Sequence, residues 1–281
     1  MDSCQALISK IQAEYEAGSL VLPSLPEIVV RVRQAVKNED VDLGSVVKLI
    51  QVDPSLTARL VQIANSPLYR SRQPVENCLM AVNRLGLTTT RDLVTCLVLN
   101  NVFNTENKPL RKKVQALWEH SCHVAAIAST IAKITPNLHE DTALLAGLLH
   151  DIGILPILHY AADFPDILGS EEKLDFVIQE LRTSLGHKIL REWNFDESLC
   201  DVAAEAEHWQ REGESEADYV DVVIVAHIHS YYGTNLQVEV PPLLSTPAFV
   251  KLTLSKMGPD ASLEVLYEAE QGIKDMMLML A

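Results

Sequence analysis

The sequence predicts an all-α protein, and three observations predict it. Apolar residues recur at three- and four-residue spacing through nearly every long segment, the helical period. Runs of alternating β-branched residues are few. With 48% hydrophobic and 22% charged residues in 281, the chain has the composition of a packed globular protein and not of a disordered one.

Residues 3–17 form an opening amphipathic helix. The stretch LPSLP at 22–26 breaks it, and Pro26 is placed to start the next helix, which runs to about Lys37. Asp42 caps a helix over LGSVVKLIQV, and Asp53 with Pro54 opens the one after it. There Leu56, Leu60 and Ile63 share one face, and the segment stops before Pro67 because the residue preceding a proline avoids helical angles. Helices follow at 74–85 and 88–103, with Gly86 as the stop between them and Thr88 or Thr89 as the second cap.

After the polar link Asn104 to Lys113, helices are expected near 113–134, 140–150, 152–160, 172–192, 196–211, 217–231, 243–256 and 261–280. Residues 235–242 read as an extended loop ended by Pro241 and Pro242. The last helix carries Leu263, Leu266, Ile273, Met276, Met277 and Leu280 at mixed offsets, suited to capping the core or to dimerising. The chain therefore divides into a helical N-terminal subdomain, 1–105, without a catalytic cluster, packed on a second helical domain, 106–281. No fixed-period repeat is present.

Twenty-three Lys and Arg against thirty-eight Asp and Glu give a net charge of -15, which disfavours DNA as a partner. The basic cluster Lys108, Arg111, Lys112 and Lys113 lacks interleaved aromatics for stacking bases and reads as a solvated helix start. The five cysteines are odd in number and contain no CxxC pair, which implies a reducing compartment. The N-terminus lacks the basic start and apolar run of a secretory signal. The apolar stretches Ala143–Leu149 and Val220–Ile228 fall short of the roughly 20 residues that cross a bilayer. A cytoplasmic protein without membrane association is the expectation.

All nine histidines lie in the second half of the chain. His120 shares a helical face with Leu117, Val124, Ile127 and Ile131, so its imidazole should point inward, where each nitrogen needs a hydrogen bond or a metal. The run LLAGLLHDIG brings an apolar helix directly to His150 and Asp151. A carboxylate at that place is costly to desolvate without a cation or several donors. His187, His208 and His227 each lie within or at the end of an apolar helical face. The candidate metal ligands are thus His120, His150, Asp151, His187, His208 and His227, the alternative for each histidine being a hydrogen-bonded core residue.

At these residues the sequence resembles a known group. His120 followed by the His150-Asp151 doublet in LLAGLLHDIG resembles the HD superfamily of metal-dependent phosphohydrolases. LPSLPEI, DPSLTARLVQIANSPLY and AVNRLG are similar to the HDOD (HD-related output domain) family, and the resemblance covers about residues 20–231. It implies an all-helical bacterial signalling domain, a regulatory relative of the HD-GYP phosphodiesterases that hydrolyse cyclic di-GMP. His120, His150 and Asp151 match the first metal histidine and the doublet, while His187 and His208 resemble later metal histidines.

Departures from that pattern are several. Ile154 follows HDIG where the HD-GYP pattern has lysine, Trp209 replaces the second histidine of a pair, no GYP triplet follows, and His227 stands for the last aspartate. A histidine in place of an aspartate still ligates but favours borderline metals such as iron, zinc or nickel, with manganese also to be considered. Loss of the lysine removes a cation able to hold a phosphate oxygen. The expected function is a regulatory signal-transduction protein with a degenerate metal site, not an efficient enzyme, acting on a protein partner in trans or on a nucleotide. The alternative is a metal-dependent phosphohydrolase.

Overall fold

The computed structural model describes residues 3–38, 40–69, 73–231, 240–257, 262, 264, 265 and 267. No β-strand occurs among them, and the fold is all-α. In chain order the helices are α1 (Ser3–Glu16), α2 (Glu27–Lys37), α3 (Leu43–Ile50), α4 (Pro54–Ala64), α5 (Cys78–Leu85) and α6 (Leu87–Leu99). Then come α7 (Lys108–Lys133), α8 (Glu140–Leu149), α9 (Ile154–Ala161), α10 (Pro165–Leu168) and α11 (Glu171–Glu192). Last are α12 (Glu197–Glu205), α13 (Tyr219–Ser230), α14 (Pro247–Lys251) and α15 (Thr253–Met257), with a 3₁₀ turn at Leu243–Ser245 before α14.

The chain forms two compact units. One takes residues up to Pro23 and resumes at Phe103; the other contains Ser24–Val102. Sequence reasoning grouped α1 with the residues up to 105, but α1 packs on α9, α10 and α11. Periodicity reveals that α1 has an apolar face, Leu7, Ile8 and Ile11, but not which neighbour covers it. Polar contacts fix the docking: Lys10 Nζ lies 3.1 Å from Asp163 Oδ2, and Ser3 Oγ donates to Asp166 at 2.6 Å. The Tyr160 hydroxyl donates to Glu14.

In the unit of residues 24–102, α2 packs on α3 and α6, and α4 on α5 and α6. Asp42 accepts from Ser45 N at 3.0 Å, and Asp53 accepts from Ser55 N and Leu56 N ahead of Pro54, so both expected N-caps form. The helix expected at 74–85 starts only at Cys78, because Asn77 accepts from Met80 N and caps it there. Helix α6 begins directly after Gly86, whose φ of 80° makes the corner, so neither Thr88 nor Thr89 is a cap. Asn65 bonds both backbone groups of Val75, at 2.8 Å each, and Arg84 donates to the Ala64 carbonyl at 3.0 Å. Two polar residues of the ANSPLY and AVNRLG segments therefore tie the loop after α4 to its neighbours.

In the other unit, α7 lies against α8 and α13, and α11 against α9 and α12. Helix α7 starts at Lys108, so Lys108, Arg111 and Lys112 are an exposed first turn. The segment 140–161, α8 plus α9, has a window of mean hydropathy 1.5, long and apolar enough by composition to cross a membrane. That window is 89% buried inside the fold. Counted across His150-Asp151, the apolar run is longer than either half read alone. The helix expected to 211 ends at Glu205. Most of the expected helix at 261–280 and most of the loop at 235–242 lie outside the described residues.

Candidate metal centre

Two glycines decide how closely the helices carrying the histidines approach one another. A Cβ on Gly147 would sit 2.4 Å from Ala125 Cα, so α8 presses its backbone onto α7 within about a turn and a half of His120 and about one turn of His150. A Cβ on Gly153, the glycine of HDIG, would sit 2.0 Å from the Arg182 carbonyl oxygen and 2.6 Å from Gly186 N. The chain turns sharply over residues 150–153 at the end of α8, and that turn rests on the backbone of α11. Only glycine permits these contacts.

The result is one cluster: His120 from α7, His150 and Asp151 from the end of α8, and His227 from α13. Their ligand atoms all lie within 4.8 Å of one another. His150, Asp151 and His227 are 3%, 4% and 0% exposed, while His120 keeps 25% of its side chain exposed and so forms the open side. Ring centroids are 5.3 Å apart for His120 and His150, 5.0 Å for His120 and His227, and 4.8 Å for His150 and His227.

His150 Nδ1 is 2.7 Å from the Gly147 carbonyl oxygen. A carbonyl only accepts, so Nδ1 carries a proton, and in the neutral ring Nε2 is left with a lone pair. That Nε2 is buried and has no hydrogen-bond partner, although Asp151 Oδ2 lies 3.3 Å away and His120 Nε2 is 3.8 Å from the same oxygen. Lone pairs facing one another in a buried space are unfavourable unless a cation lies among them. A histidine whose second nitrogen is anchored on a backbone carbonyl is also the usual arrangement of a metal ligand. These residues fit a divalent cation.

Burial, with the neighbouring His150, pushes His120 down to about 4. Burial and the other two imidazoles hold His227 well below its ordinary value. Burial alone would raise the Asp151 carboxyl, but His150, Arg182 and His227 hold it well below the usual carboxylate range. Neutral imidazoles with an ionised carboxylate are the protonation states that ligate.

Three residues that sequence reasoning did not select complete the surroundings. Arg182 of α11 has 12% of its side chain exposed; it donates to Asp151 Oδ1 at 3.3 Å and pairs with Glu207. Glu207 Oε1 also lies 3.4 Å from His227 Nδ1. The Tyr231 hydroxyl is 2.8 Å from His227 Nε2, its ring stacks 5.9 Å from His120, and burial and Asp151 push it up to about 12.

Glu207 stands on the turn after α12, and Arg211 stakes that turn. Its guanidinium pairs with Glu205, with Asp218 at 2.7 Å and with Asp221 at 3.3 Å. The fully buried Asp221 is also bonded by Lys251 at 2.6 Å. The same turn carries Trp209, whose ring centroid is 5.3 Å from that of His227. Glu205, His208, Trp209, Gln210 and Arg211 line a shallow cleft of about 500 Å³.

Two of the six candidate ligands stand outside the cluster. His187, on α11, has 37% of its side chain exposed and lies 3.9 Å from Glu197 Oε1. It follows Arg182 by five residues, about 140° round the helix, so the two cannot face the same way. His208 is exposed on the turn beyond the end of α12, because the carboxylates around Arg211 draw the chain out of the helix there. Of the remaining histidines, His139 and His159 are exposed and His123 and His229 half-buried. Ile154, where a lysine would follow HDIG, is buried at the start of α9.

With this geometry in hand, comparison with known proteins gives one family. The sequence profile of the HDOD domain matches residues 22–209. A solved structure from Shewanella amazonensis SB2B, provisionally described as a metal-dependent phosphohydrolase, is 27% identical, with a TM-score of 0.81 over 97% of this chain and 100% of that one. An HDOD domain protein of unknown function from Geobacter sulfurreducens is 24% identical, with a TM-score of 0.69 over 98% of this chain and 97% of that one. An uncharacterized protein of Treponema pallidum (strain Nichols) is 24% identical over 198 residues, 64% of this chain. The match spans only 36% of that curated relative's length. The matched region takes in both the tied loop of the smaller unit and the HD doublet, and on this evidence the chain belongs to the HDOD family.

Proposed function

We propose that this chain is a regulatory signal-transduction domain that holds a divalent cation at His120, His150, Asp151 and His227 and acts through a protein partner in trans. The observation that carries the reading is the buried, unpartnered Nε2 of His150, fixed in its tautomer by Gly147 and aimed at Asp151 and the other two imidazoles. A bound ion of this kind supplies a concentrated positive charge and a water of lowered pKa. The chain's own residues orient the donors: Gly147 sets the His150 ring, Arg182 holds one oxygen of Asp151, and Tyr231 bonds His227.

What the site offers a phosphodiester is limited. Ile154 is apolar and buried, and Arg182, the one guanidinium at the cluster among the described residues, is engaged by two carboxylates. A regulatory domain needs only the folded scaffold and the ion that braces it. Three histidines and one aspartate suit iron, zinc, nickel or manganese. The second reading, a metal-dependent phosphohydrolase, is favoured by the Shewanella relative, and a nucleotide is the ligand class it would bring.

Metal analysis of freshly purified protein separates the readings. The expected result is stoichiometric iron, manganese, nickel or zinc, a rise in Tm on adding the ion to stripped protein, and no turnover of cyclic di-GMP or a generic phosphodiester. His150→Ala and Asp151→Ala should each abolish uptake. Turnover at the metal-loaded site would establish the phosphohydrolase, and absence of both metal and Tm shift would remove the ion from either reading.

A further inference from the structure

We infer that the cluster takes a single metal ion and that Arg182 is the positioning residue that sets this number, its guanidinium filling the place where a second ion would share Asp151. The inference rests on the metal reading above and goes beyond it.

Four donors, three imidazoles and one carboxylate, are the ligand set of one ion. A second ion needs donors of its own and usually a carboxylate shared with the first, the two oxygens turned to different ions. Asp151 has its two oxygens divided in that manner: Oδ2 faces His150 and His120, at 3.3 and 3.8 Å, while Oδ1 faces Arg182 at 3.3 Å. The carboxylate that stands next to the cluster on that side, Glu207, is paired with the same guanidinium. A cation is therefore already bonded by Asp151 and Glu207, and it is covalently part of the protein.

Arg182 is well suited to this place. Its charge is permanent, and its planar fork can engage two carboxylates at once. Only 12% of its side chain is exposed, and its backbone carbonyl lies directly under Gly153, so the base of the side chain is fixed against the HDIG turn. Replacing the charge would change the number of ions: with Arg182 neutral, Glu207 and Asp151 Oδ1 become free donors on the far side of Asp151.

The test is a manganese titration of stripped full-length protein, read as ions bound per chain and by electron paramagnetic resonance, which separates an isolated Mn²⁺ ion from an exchange-coupled pair. Wild type and Arg182→Lys should bind one ion with an uncoupled spectrum. Arg182→Gln and Arg182→Glu should bind two, with coupling; Gln retains an amide donor for Asp151 and guards against a variant that fails to fold. Two ions in either of these bear the inference out. Two ions in the wild type, or one in both charge-removing variants, overturn it and leave the metal reading standing. A wild type that binds no manganese, zinc, iron or nickel overturns both.

Discussion

At the scale of single residues, buried environments explain why five cysteines coexist with a cluster of metal-type ligands without forming part of it. All five are buried. Burial pushes the Cys122 thiol up to about 12 and the Cys200 thiol up to about 11, so at pH 8 about one Cys200 in a thousand would be the reactive thiolate. Titration of the native protein with a thiol-specific disulfide reagent at pH 8 should therefore be slow at every site, and all five cysteines should react at once after denaturation. Rapid reaction of Cys122 in the native state would contradict the burial described. The residues of the candidate site were unequally visible in the sequence. His150 and Asp151 stand out because polar side chains at the end of LLAGLLHDIG have no bland reason to be there, and His227 because it interrupts VVIVAHI. Arg182 and Glu207 gave no such signal: on a charged helix and in an acidic turn, an inward arginine or glutamate looks the same as a solvated one.

At the scale of elements, the site depends on helices approaching until backbones touch. The clearest case is the HDIG turn against α11, where a methyl group on Gly153 would meet the Arg182 carbonyl at 2.0 Å. Overpacking costs typically about 1–3 kcal/mol, and a clash with backbone on both sides belongs at or above the top of that range. Gly153→Ala should lower the free energy of unfolding in urea by about 3 kcal/mol and weaken metal uptake at the same time, since Asp151 and Arg182 move apart. A change under 1 kcal/mol would mean that the two segments separate freely. The helices themselves were mostly legible, because apolar period and cap chemistry agree, as at Asp42, Asp53 and Gly86. The ends that were misjudged are those set by tertiary contacts: α12 stops at Glu205 because Arg211 gathers three carboxylates, Glu205, Asp218 and Asp221, and no local propensity encodes that.

At the scale of the whole molecule, the larger unit is assembled from two separate stretches of sequence, with Ser24–Val102 between them. Helix α1 contributes Leu7, Ile8 and Ile11, at most 5% exposed, to that unit. Burying such side chains is worth about 1.5–3 kcal/mol each, which in sum rivals the net stability of a typical domain. A fragment beginning at residue 24 should consequently bind a hydrophobic dye and melt early, and a peptide of residues 3–16 added in trans should restore part of the loss. An unchanged Tm would show that α1 is dispensable. This division was invisible to a reading by composition, which followed the polar link near residue 105 and had no means of detecting that the first helix belongs with what comes after.

The discontinuity has a consequence for biogenesis. As the nascent polypeptide emerges from the ribosome, helices α2 to α6 can make their contacts with one another as soon as residue 102 has been synthesised. Helix α1 is made before residues 24–102 yet must wait with its oily stripe uncovered until α9 and α11 have been synthesised, so it leaves the exit tunnel ahead of them and finds its seat later.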